Sequence, residues 1–295
     1  MDRAKCSCYC CIYQQHNKMG SWNVDNHKKG LRQLEIILQE LKIKDKAQVL
    51  FCLEHTGIYN HTLVEWIAQQ GYHLWLESPL AIKRSLGIQR GKNAQVDAQR
   101  IAQYAARFAE QARLWQPARA VIEELKGLVR LRARLLTAKK QLKTPLQASS
   151  IFLAAAKQKR LESCCAGTLK HLEADMAQIE QEIQGLVASD APLKQLYTVV
   201  ESVAGIGRIT ALELLIVSNE FKGIKTAQSC ACYAGIAPFE HSSGSSIRGR
   251  SRASPLANKR LKSLQPMGSM SSIRLAGELR RYYERKESAG KACQY

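Results

Sequence analysis

The strongest constraint on the fold is a set of apolar residues that recur at alternating intervals of three and four positions near the middle of the chain. The residues with this spacing are Leu169, Leu172, Met176, Ile179, Ile183 and Leu186. The spacing places every member on one stripe of an α-helix, and such a stripe forms the contact seam of a coiled coil. Similar intervals run upstream from Val121 to Leu142 and stop at Pro145. We therefore predict that residues 117–195 form a coiled-coil hairpin of two long antiparallel helices, with a structural role that can extend to a subunit interface.

Residues 1–116 show a different pattern, in which short apolar runs alternate with amphipathic segments. Residues 47–54 (AQVLFCLE) and 72–77 (YHLWLE) are rich in strand formers, and the segment between them has helical periodicity and closes at Gly71. Residues 93–108 again show helical periodicity. This order of strand, helix, strand and helix is typical of an α/β layer built on a central sheet. We predict an α/β domain here.

Residues 196–295 are predicted to form a third, mainly helical domain. It opens with VESVAGIGRITALELLIV, in which one helix ends, a Gly-Ile-Gly turn follows and a second apolar helix begins. This order is typical of a helix-hairpin-helix, whose glycines let the backbone approach a DNA phosphate while the next helix offers free amides. We identify Gly205, Gly207 and Arg208 as candidate DNA contacts. The alternative is an ordinary tight turn between two packed helices.

The charge of the chain indicates a polyanionic partner. With 44 Lys and Arg against 25 Asp and Glu, the formal net charge is +19, and the excess is spread along the chain. Nucleic acid is the default partner of a folded protein with this charge, whereas an anionic membrane surface or no specific ligand is the alternative. Between Ser243 and Lys262 there are six basic residues and no acidic one. We identify five of them as candidate phosphate contacts: Arg248, Arg250, Arg252, Lys259 and Arg260.

The sequence also bears on the compartment. It contains no run of about 18 apolar residues and no apolar signal-peptide core, so we expect no membrane segment and a cytoplasmic location. The ten cysteines of this lysine-rich chain fit reduced thiols better than a disulfide framework. Four of them are clustered (Cys6, Cys8, Cys10 and Cys11), but no second Cys/His pair follows at zinc-finger spacing, so zinc is the less favoured interpretation.

Two carboxylates are candidates for metal binding. Glu54 ends a predicted buried strand, and Asp97 lies in the first turn of a predicted helix. Carboxylates at the strand ends of an α/β sheet often hold Mg²⁺, which can stabilise the attacking and leaving oxygens of a phosphodiester. The alternative is that each carboxylate is solvated or paired with lysine.

A hydrophilic tract near the carboxy terminus admits two interpretations. Residues 241–252 (HSSGSSIRGRSR) contain five serines, two glycines and three arginines. The tract is either a solvated linker or a flexible loop. Such a loop would bring a hydroxyl nucleophile together with arginines that neutralise the charge developing on a phosphate.

Five motifs occur in an order that resembles the DEDD-type insertion-sequence transposases, the group related to the Piv and MooV invertases. The motifs are LEHTGIYNHTLVEWI, IKRSLGIQRGKNAQVDAQRIAQYA, VAGIGRITALELL, CYAGIAPFEHSSGSSIRGRSR and LANKRLK, and the likeness extends from about Gly30 to Lys286. The resemblance implies a RuvC-like, ribonuclease-H-type amino-terminal domain with four metal-binding acids, a coiled-coil insertion and a carboxy-terminal transposase domain with a catalytic serine. It also implies Mg²⁺, DNA, a guide RNA encoded by the element, a homo-oligomer (dimer or tetramer) and a bacterial, nucleoid-associated location.

Position by position, the resemblance assigns Glu54 and Asp97 to two of the four acids and Ser243 to the nucleophile, with Ser242 as the alternative. It favours a nucleophile loop over a linker. We therefore predict a transposase that cuts and rejoins DNA when Ser243 folds against both acids at a single phosphate. The alternative is a non-catalytic DNA- or RNA-binding protein that uses the helix-hairpin-helix and the basic tract. A purely structural coiled-coil protein would leave the basic tract unexplained.

Departures from the family pattern predict that catalysis is impaired in this copy. Ala94 stands where the family has its second aspartate. The first 20 residues offer no opening strand with an Asp-x-Ser-Lys setting, and Asp2 is a poor candidate for the first acid. Pro255 and Pro266 interrupt a stretch that the family keeps helical. We expect a degenerate or truncated copy in which the fold survives better than the chemistry.

Overall fold

The structure is a computed structural model. It describes residues 7–15, 17–43, 45–55, 60–85, 87, 91, 93–243, 247–253 and 257–290, and of residues 240–252 it describes the backbone alone. The chain divides into two compact units, Met1–Pro117 and Ala118–Tyr295.

The first unit contains four strands and four helices in the described residues. In chain order they are β1 (Ser7–Gln14), β2 (Asn17–Asp25), α1 (Lys28–Glu40), β3 (Leu50–Glu54), α2 (His61–Gln70), β4 (His73–Glu77), α3 (Pro79–Ser85) and α4 (Ala94–Arg107). The strands form two separate pairs, an antiparallel β1–β2 hairpin and a parallel β3–β4 pair.

The strand–helix–strand unit β3–α2–β4 confirms the alternation read from the sequence. Its strands pair in register from Leu50 opposite His73 to Glu54 opposite Glu77. Helix α2 ends at Gly71, which adopts the left-handed conformation (φ +77°) that glycine enters without a steric penalty. The crossover helix allows two short apolar strands to run in the same direction.

Apolar side chains cover both faces of the β3–β4 pair. The larger core joins residues from both strand pairs and from α1 and α2, among them Cys8, Val24, Leu31, Leu53, Ile67 and Leu74. A smaller core contains Trp75 with Ile82 of α3 and Ile101 and Tyr104 of α4. Because successive residues of a strand face opposite sides, Leu74 and Trp75 direct the two cores to opposite faces of β4. The first unit is therefore layered, with helices on both faces of its strands.

The hairpin at the start of the chain corrects the prediction that no strand occurs there. The segment SCYCCIYQ forms β1, and Cys8 within it is completely buried in the larger core. Cysteine packs as a small hydrophobic residue, so a cysteine-rich run can serve as a strand. Cys8, Cys10 and Cys11 are free thiols, whereas Cys6 lies outside the described residues. The strand carries no aspartate, so it does not supply the missing acid.

The second unit is mainly helical, as predicted for its carboxy-terminal part. Its described elements are α5 (Ala120–Ser149), α6 (Ala155–Ser189), α7 (Ala191–Glu201), α8 (Arg208–Ser218), α9 (Ala227–Ala234), β5 (Pro238–Ser243), β6 (Ile247–Ala253), α10 (Lys259–Ser272) and α11 (Glu278–Ser288). Helices α5 to α8 share one hydrophobic core.

Helices α5 and α6 pack along each other as an antiparallel hairpin. Two ion pairs fix the direction: Arg132 contacts Glu180 at 2.6 Å and Lys139 contacts Glu173 at 2.7 Å, so residues later in α5 meet residues earlier in α6. Ile179 and Ile183 are buried in the shared core, and the other residues of the predicted seam are partly buried.

Two prolines do not have the effect that the sequence predicted. Helix α5 continues through Pro145 to Ser149, and α10 continues through Pro266. A proline inside a helix removes one backbone hydrogen bond and crowds the preceding turn, which costs about 3 kcal/mol. The helices persist because packing and the remaining hydrogen bonds offset a single local defect. Pro255 lies outside the described residues.

The serine–arginine tract is also not the flexible loop that its composition predicted. Strands β5 and β6 form an antiparallel hairpin in which Ser243 pairs with Ile247 and Ser242 with Arg248. The register shifts between Phe239, opposite Arg252, and His241, opposite Gly249. One extra residue therefore lies in β6, and this bulge interrupts the two-residue alternation between positions 248 and 252.

Among the described helices, none has the length and apolar character needed to cross a membrane.

Candidate functional site

A pair of glutamates marks the carboxyl ends of the parallel strands in the first unit. Glu54 is the last residue of β3, as predicted, and it lies opposite Glu77, the last residue of β4. Adjacent strands are about 4.8 Å apart, so two carboxylate-bearing positions are neighbours at this edge. The sequence analysis did not select Glu77. The signal was present, because both strands end in Leu-Glu.

Hydrogen bonds fix the Glu77 carboxylate and the backbone at Glu54. The Ser78 amide donates to Glu77 Oε1 at 2.6 Å, and the Tyr104 hydroxyl of α4 donates to Oε2 at 3.2 Å. Burial, and then the neighbouring Glu77 carboxylate, raise the pKa of Tyr104 above its ordinary value, so the hydroxyl stays protonated and can donate. The Asn60 side chain donates to the Glu54 carbonyl at 2.5 Å. This edge is therefore rigidly built.

Asp97 lies in the first turn of α4, as predicted. The helix is capped by Asn93, whose side-chain oxygen accepts from the Val96 amide at 2.8 Å. The Asp97 carboxylate pairs with Arg100 at 2.9 Å, and both side chains are largely buried. An arginine so close already neutralises this carboxylate, which reduces its availability as a metal ligand.

The acids of the described residues do not build a complete metal centre. No group of three or more His, Cys, Asp or Glu side chains in that part of the chain is placed to hold one metal ion. Ala94, the first residue of α4, carries no ligand atom in its side chain. The donor set does not fit the four-acid site that the resemblance implies, so we assign no chemical step to a metal ion.

In the second unit, the predicted helix-hairpin-helix residues lie in the turn between α7 and α8. Gly207 is the exposed N-cap of α8, and Gly205 adopts a positive φ of +86°. A Cβ on Gly205 would lie 2.3 Å from the carbonyl oxygen of Gly268, so the turn and α10 meet backbone to backbone. Gly205 thus has a packing role in addition to any role at a phosphate.

Two of the predicted basic contacts bind groups within the second unit. The Arg208 guanidinium donates to the Glu180 carbonyl of α6 at 3.0 Å. Arg260 pairs with Glu213 of α8 at 2.9 Å. Burial raises the pKa of Glu213, while Arg260 opposes this effect. Lys259, in contrast, is exposed in the first turn of α10.

Ser243 closes strand β5, one position before the segment 244–246 that lies outside the described residues. The side chains of Ser242, Ser243 and the three arginines of β6 are outside them as well. Ser243 belongs to the second unit, whereas Glu54 and Asp97 belong to the first. The meeting of Ser243 with both acids at one phosphate stays a prediction.

Comparison with known proteins defines the class. Residues 1–149 match the DEDD family model of IS110 proteins, described as "Transposase". Residues 197–284 match a second model, described as "Transposase IS116/IS110/IS902 family". The first match covers half of the chain, and both models describe transposases. Within this class, the chain belongs to the IS110 family of transposases.

Individual relatives agree with this assignment. The pilin gene-inverting proteins of Moraxella lacunata and Moraxella bovis are each 28% identical to the chain over 254 residues, which cover 84% of this chain and 74% of the relative. An uncharacterized 43.6 kDa protein of insertion element IS110 from Streptomyces coelicolor is 31% identical over 126 residues, or 43% of this chain and 30% of the relative.

Proposed function

We propose that this chain acts in DNA transposition or site-specific recombination, by cutting and rejoining phosphodiester bonds. The observation that carries the proposal is the match of two transposase family models to successive regions of the chain, residues 1–149 and 197–284. Relatives named for gene inversion support recombination as the reaction class. A non-catalytic binding protein is not favoured, because both the acid-bearing and the serine-bearing regions match.

The proposed chemistry uses the hydroxyl of Ser243. Its oxygen attacks a backbone phosphorus, a bond between that phosphorus and a deoxyribose oxygen breaks, and the serine proton is finally taken up by the leaving oxygen. Serine needs a nearby base to become a good nucleophile, and cations must neutralise the charge that spreads over the phosphate. The arginines at positions 248, 250 and 252 follow Ser243 in the same hairpin. Rejoining is the reverse attack by a sugar hydroxyl on the phosphoserine.

The first unit is proposed to be RuvC-like, a ribonuclease-H-type fold. Support comes from the β3–α2–β4 unit, from the glutamates that close both of its strands and from the family match. The family generally uses divalent metal ions, and Mg²⁺ remains the predicted ion. Because the described acids do not form a complete centre, we propose that catalysis by this chain is impaired.

Basic residues are proposed to divide into two groups. Lys259 and the arginines of β6 would contact phosphates, since Lys259 is exposed and β6 adjoins the proposed nucleophile. Arg208 and Arg260 would position α8 and α10 instead, because each guanidinium already has an internal partner. Gly205 and Gly207 would bring the α7–α8 turn to the DNA. The guide RNA, the dimeric or tetrameric assembly and the nucleoid-associated cytoplasmic location remain predictions.

One assay tests both the nucleophile and the impairment. DNA duplexes from the ends of the element that encodes this chain are incubated with protein, and covalent protein–DNA adducts are separated under denaturing conditions. We expect a weak adduct with the unaltered chain, none with Ser243→Ala, and a stronger one with Ala94→Asp. Ser242→Ala distinguishes the alternative nucleophile, and Ser263→Ala on α10 is the matched control. Equal adduct with Ser243→Ala would exclude this serine, and no gain with Ala94→Asp would contradict our account of the impairment.

A further inference from the structure

A large cavity lies inside the first unit, where a folded domain of this size is normally close-packed. Its volume is about 770 Å³. Native protein interiors contain few voids larger than a water molecule, so a cavity of this size is a site for something rather than a packing defect.

The cavity is bordered by two strand edges. Its lining includes the consecutive residues 9–15 of β1 and its turn, and 50–53 of β3. Side chains of a strand alternate between two faces, so a wall made of consecutive residues is the edge of a strand and not a face. In the described part of the chain, β1 pairs through its other edge with β2, and β3 through its other edge with β4.

The outer edge of β4 is already covered, which leaves β3 as the open side of its pair. Leu114 forms a bridge to Trp75, and the Trp115 amide donates to the Leu74 carbonyl at 2.7 Å. The edges of β1 and β3 therefore both end at the cavity. Unpaired backbone amides and carbonyls that face a buried space are costly unless a partner satisfies them.

The remaining walls of the cavity are apolar. On one face, Leu34 and Leu38 of α1 and Leu63 of α2 line it. On the other, α4 presents small side chains, among them Ala98, Ala102 and Ala105, which leave room for larger groups. Burial also raises the pKa of Cys10 in β1 and of Cys52 in β3 to about 12, as expected in a poorly hydrated space. A fully buried strand, apolar on both faces, matches such walls.

We propose that the slot between β1 and β3 accepts an extended, apolar β-strand of another polypeptide. The added strand would pair with β1 on one side and β3 on the other, and would join the two pairs into one sheet in the order β2, β1, added strand, β3, β4. Residues 1–6 of the chain (MDRAKC) are a poor occupant, because three of the six are charged and a turn would use part of the segment. This inference is independent of the proposed function.

The test uses the whole chain and a synthetic peptide with five alternating valine and isoleucine residues between terminal lysines. Backbone hydrogen exchange is followed by mass spectrometry. We expect the peptide to slow exchange about tenfold or more in residues 9–15 and 50–53 together, as high occupancy of one site requires, with no change in residues 155–189. The same peptide N-methylated at alternate positions should give little protection, because it lacks the amides for one edge.

A pair of variants controls for the site. Ala102→Phe fills the slot from α4 and should abolish the protection, whereas Gln95→Phe, at an exposed position of the same helix, should leave it unchanged. Equal protection by the N-methylated peptide would show a general apolar pocket, and no protection by either peptide would show that the slot does not accept a strand. Protection that rises with protein concentration in the absence of peptide would identify a second copy as the occupant. Each of these three results overturns the proposal.

Discussion

At the scale of single residues, two glycines of the same motif have different roles. Gly205 has a φ of +86°, and a Cβ there would lie 2.3 Å from the Gly268 carbonyl oxygen. We expect Gly205→Ala to lower the free energy of unfolding by about 2–4 kcal/mol, because a left-handed backbone and a backbone clash are both unfavourable for alanine. Urea denaturation at neutral pH measures this change.

Gly207 provides the matched comparison. Its φ is −83°, and nothing lies within 4 Å of the position that a Cβ would occupy. We expect Gly207→Ala to change the free energy of unfolding by less than about 1 kcal/mol, since alanine is only a poorer helix N-cap than glycine. If both variants lost equal stability, the packing role of Gly205 would be wrong.

At the scale of elements, one arginine connects the ends of three helices. Arg119, the N-cap of α5, binds Asp190, the N-cap of α7, at 2.7 and 3.0 Å. It also binds Glu220, which follows α8 and whose side chain is only 4% exposed. Asn219, Glu220 and Phe221 all have positive φ values. Such a backbone persists only where the surroundings hold it in place, and the arginine contributes to that.

Removal of this arginine should be felt mainly at Glu220. We expect Arg119→Ala to lower the free energy of unfolding by about 2–4 kcal/mol at pH 7, because a buried carboxylate is left without its main partner. Lys126→Ala, which removes an exposed pair with Glu123 on α5, should cost less than about 1 kcal/mol. Chemical denaturation of both variants beside the unaltered chain checks the contrast.

The same pair predicts a pH dependence. Hydrogen bonds from Arg119 lower the pKa of Glu220 and of Asp190 below their ordinary values. A carboxyl group with a lowered pKa in the folded state contributes stability above its unfolded pKa and loses it as the pH falls. The difference between the unaltered chain and Arg119→Ala should therefore be largest near pH 7 and shrink below about pH 4. A difference that stayed constant to pH 3 would contradict the role of the ion pair.

At the scale of the whole molecule, each unit has its own core. The core of α5 to α8 draws all its residues from position 118 onwards, whereas both cores of the first unit lie before that position. We expect residues 118–295, expressed alone, to unfold cooperatively and to keep the helical circular dichroism of this region, because no core residue is removed.

A shorter fragment serves as the control for this expectation. Residues 150–295 lack α5 and with it Ile122, Leu125 and Val129, which are almost fully buried in the shared core. This fragment should lose cooperative unfolding, since three large apolar side chains are missing from one interior. Non-cooperative unfolding of residues 118–295 itself would show that the second unit depends on the first.

Much of the element order could be predicted from local sequence, but the candidate site could be predicted only in part. The ends of β3 and α2 and the first turn of α4 follow from short apolar runs, from Gly71 and from Asn93. The acidic edge needed the register of two strands, which brings Glu77 beside Glu54. The sequence suggested a hydroxyl and arginines in one tract, but only backbone pairing shows a bulged hairpin there.

What the sequence alone determined is the set of elements with strong local periodicity, namely the two long helices and the strand–helix–strand unit, together with the positive charge and the family. These features depend on residues near one another in the chain, so a single sequence contains them. The tertiary structure decided the burial of Cys8 in a strand, the continuation of α5 through Pro145, the partners of Arg119 and the cavity between β1 and β3. Each of these depends on contacts between distant residues, whose energies no local pattern records.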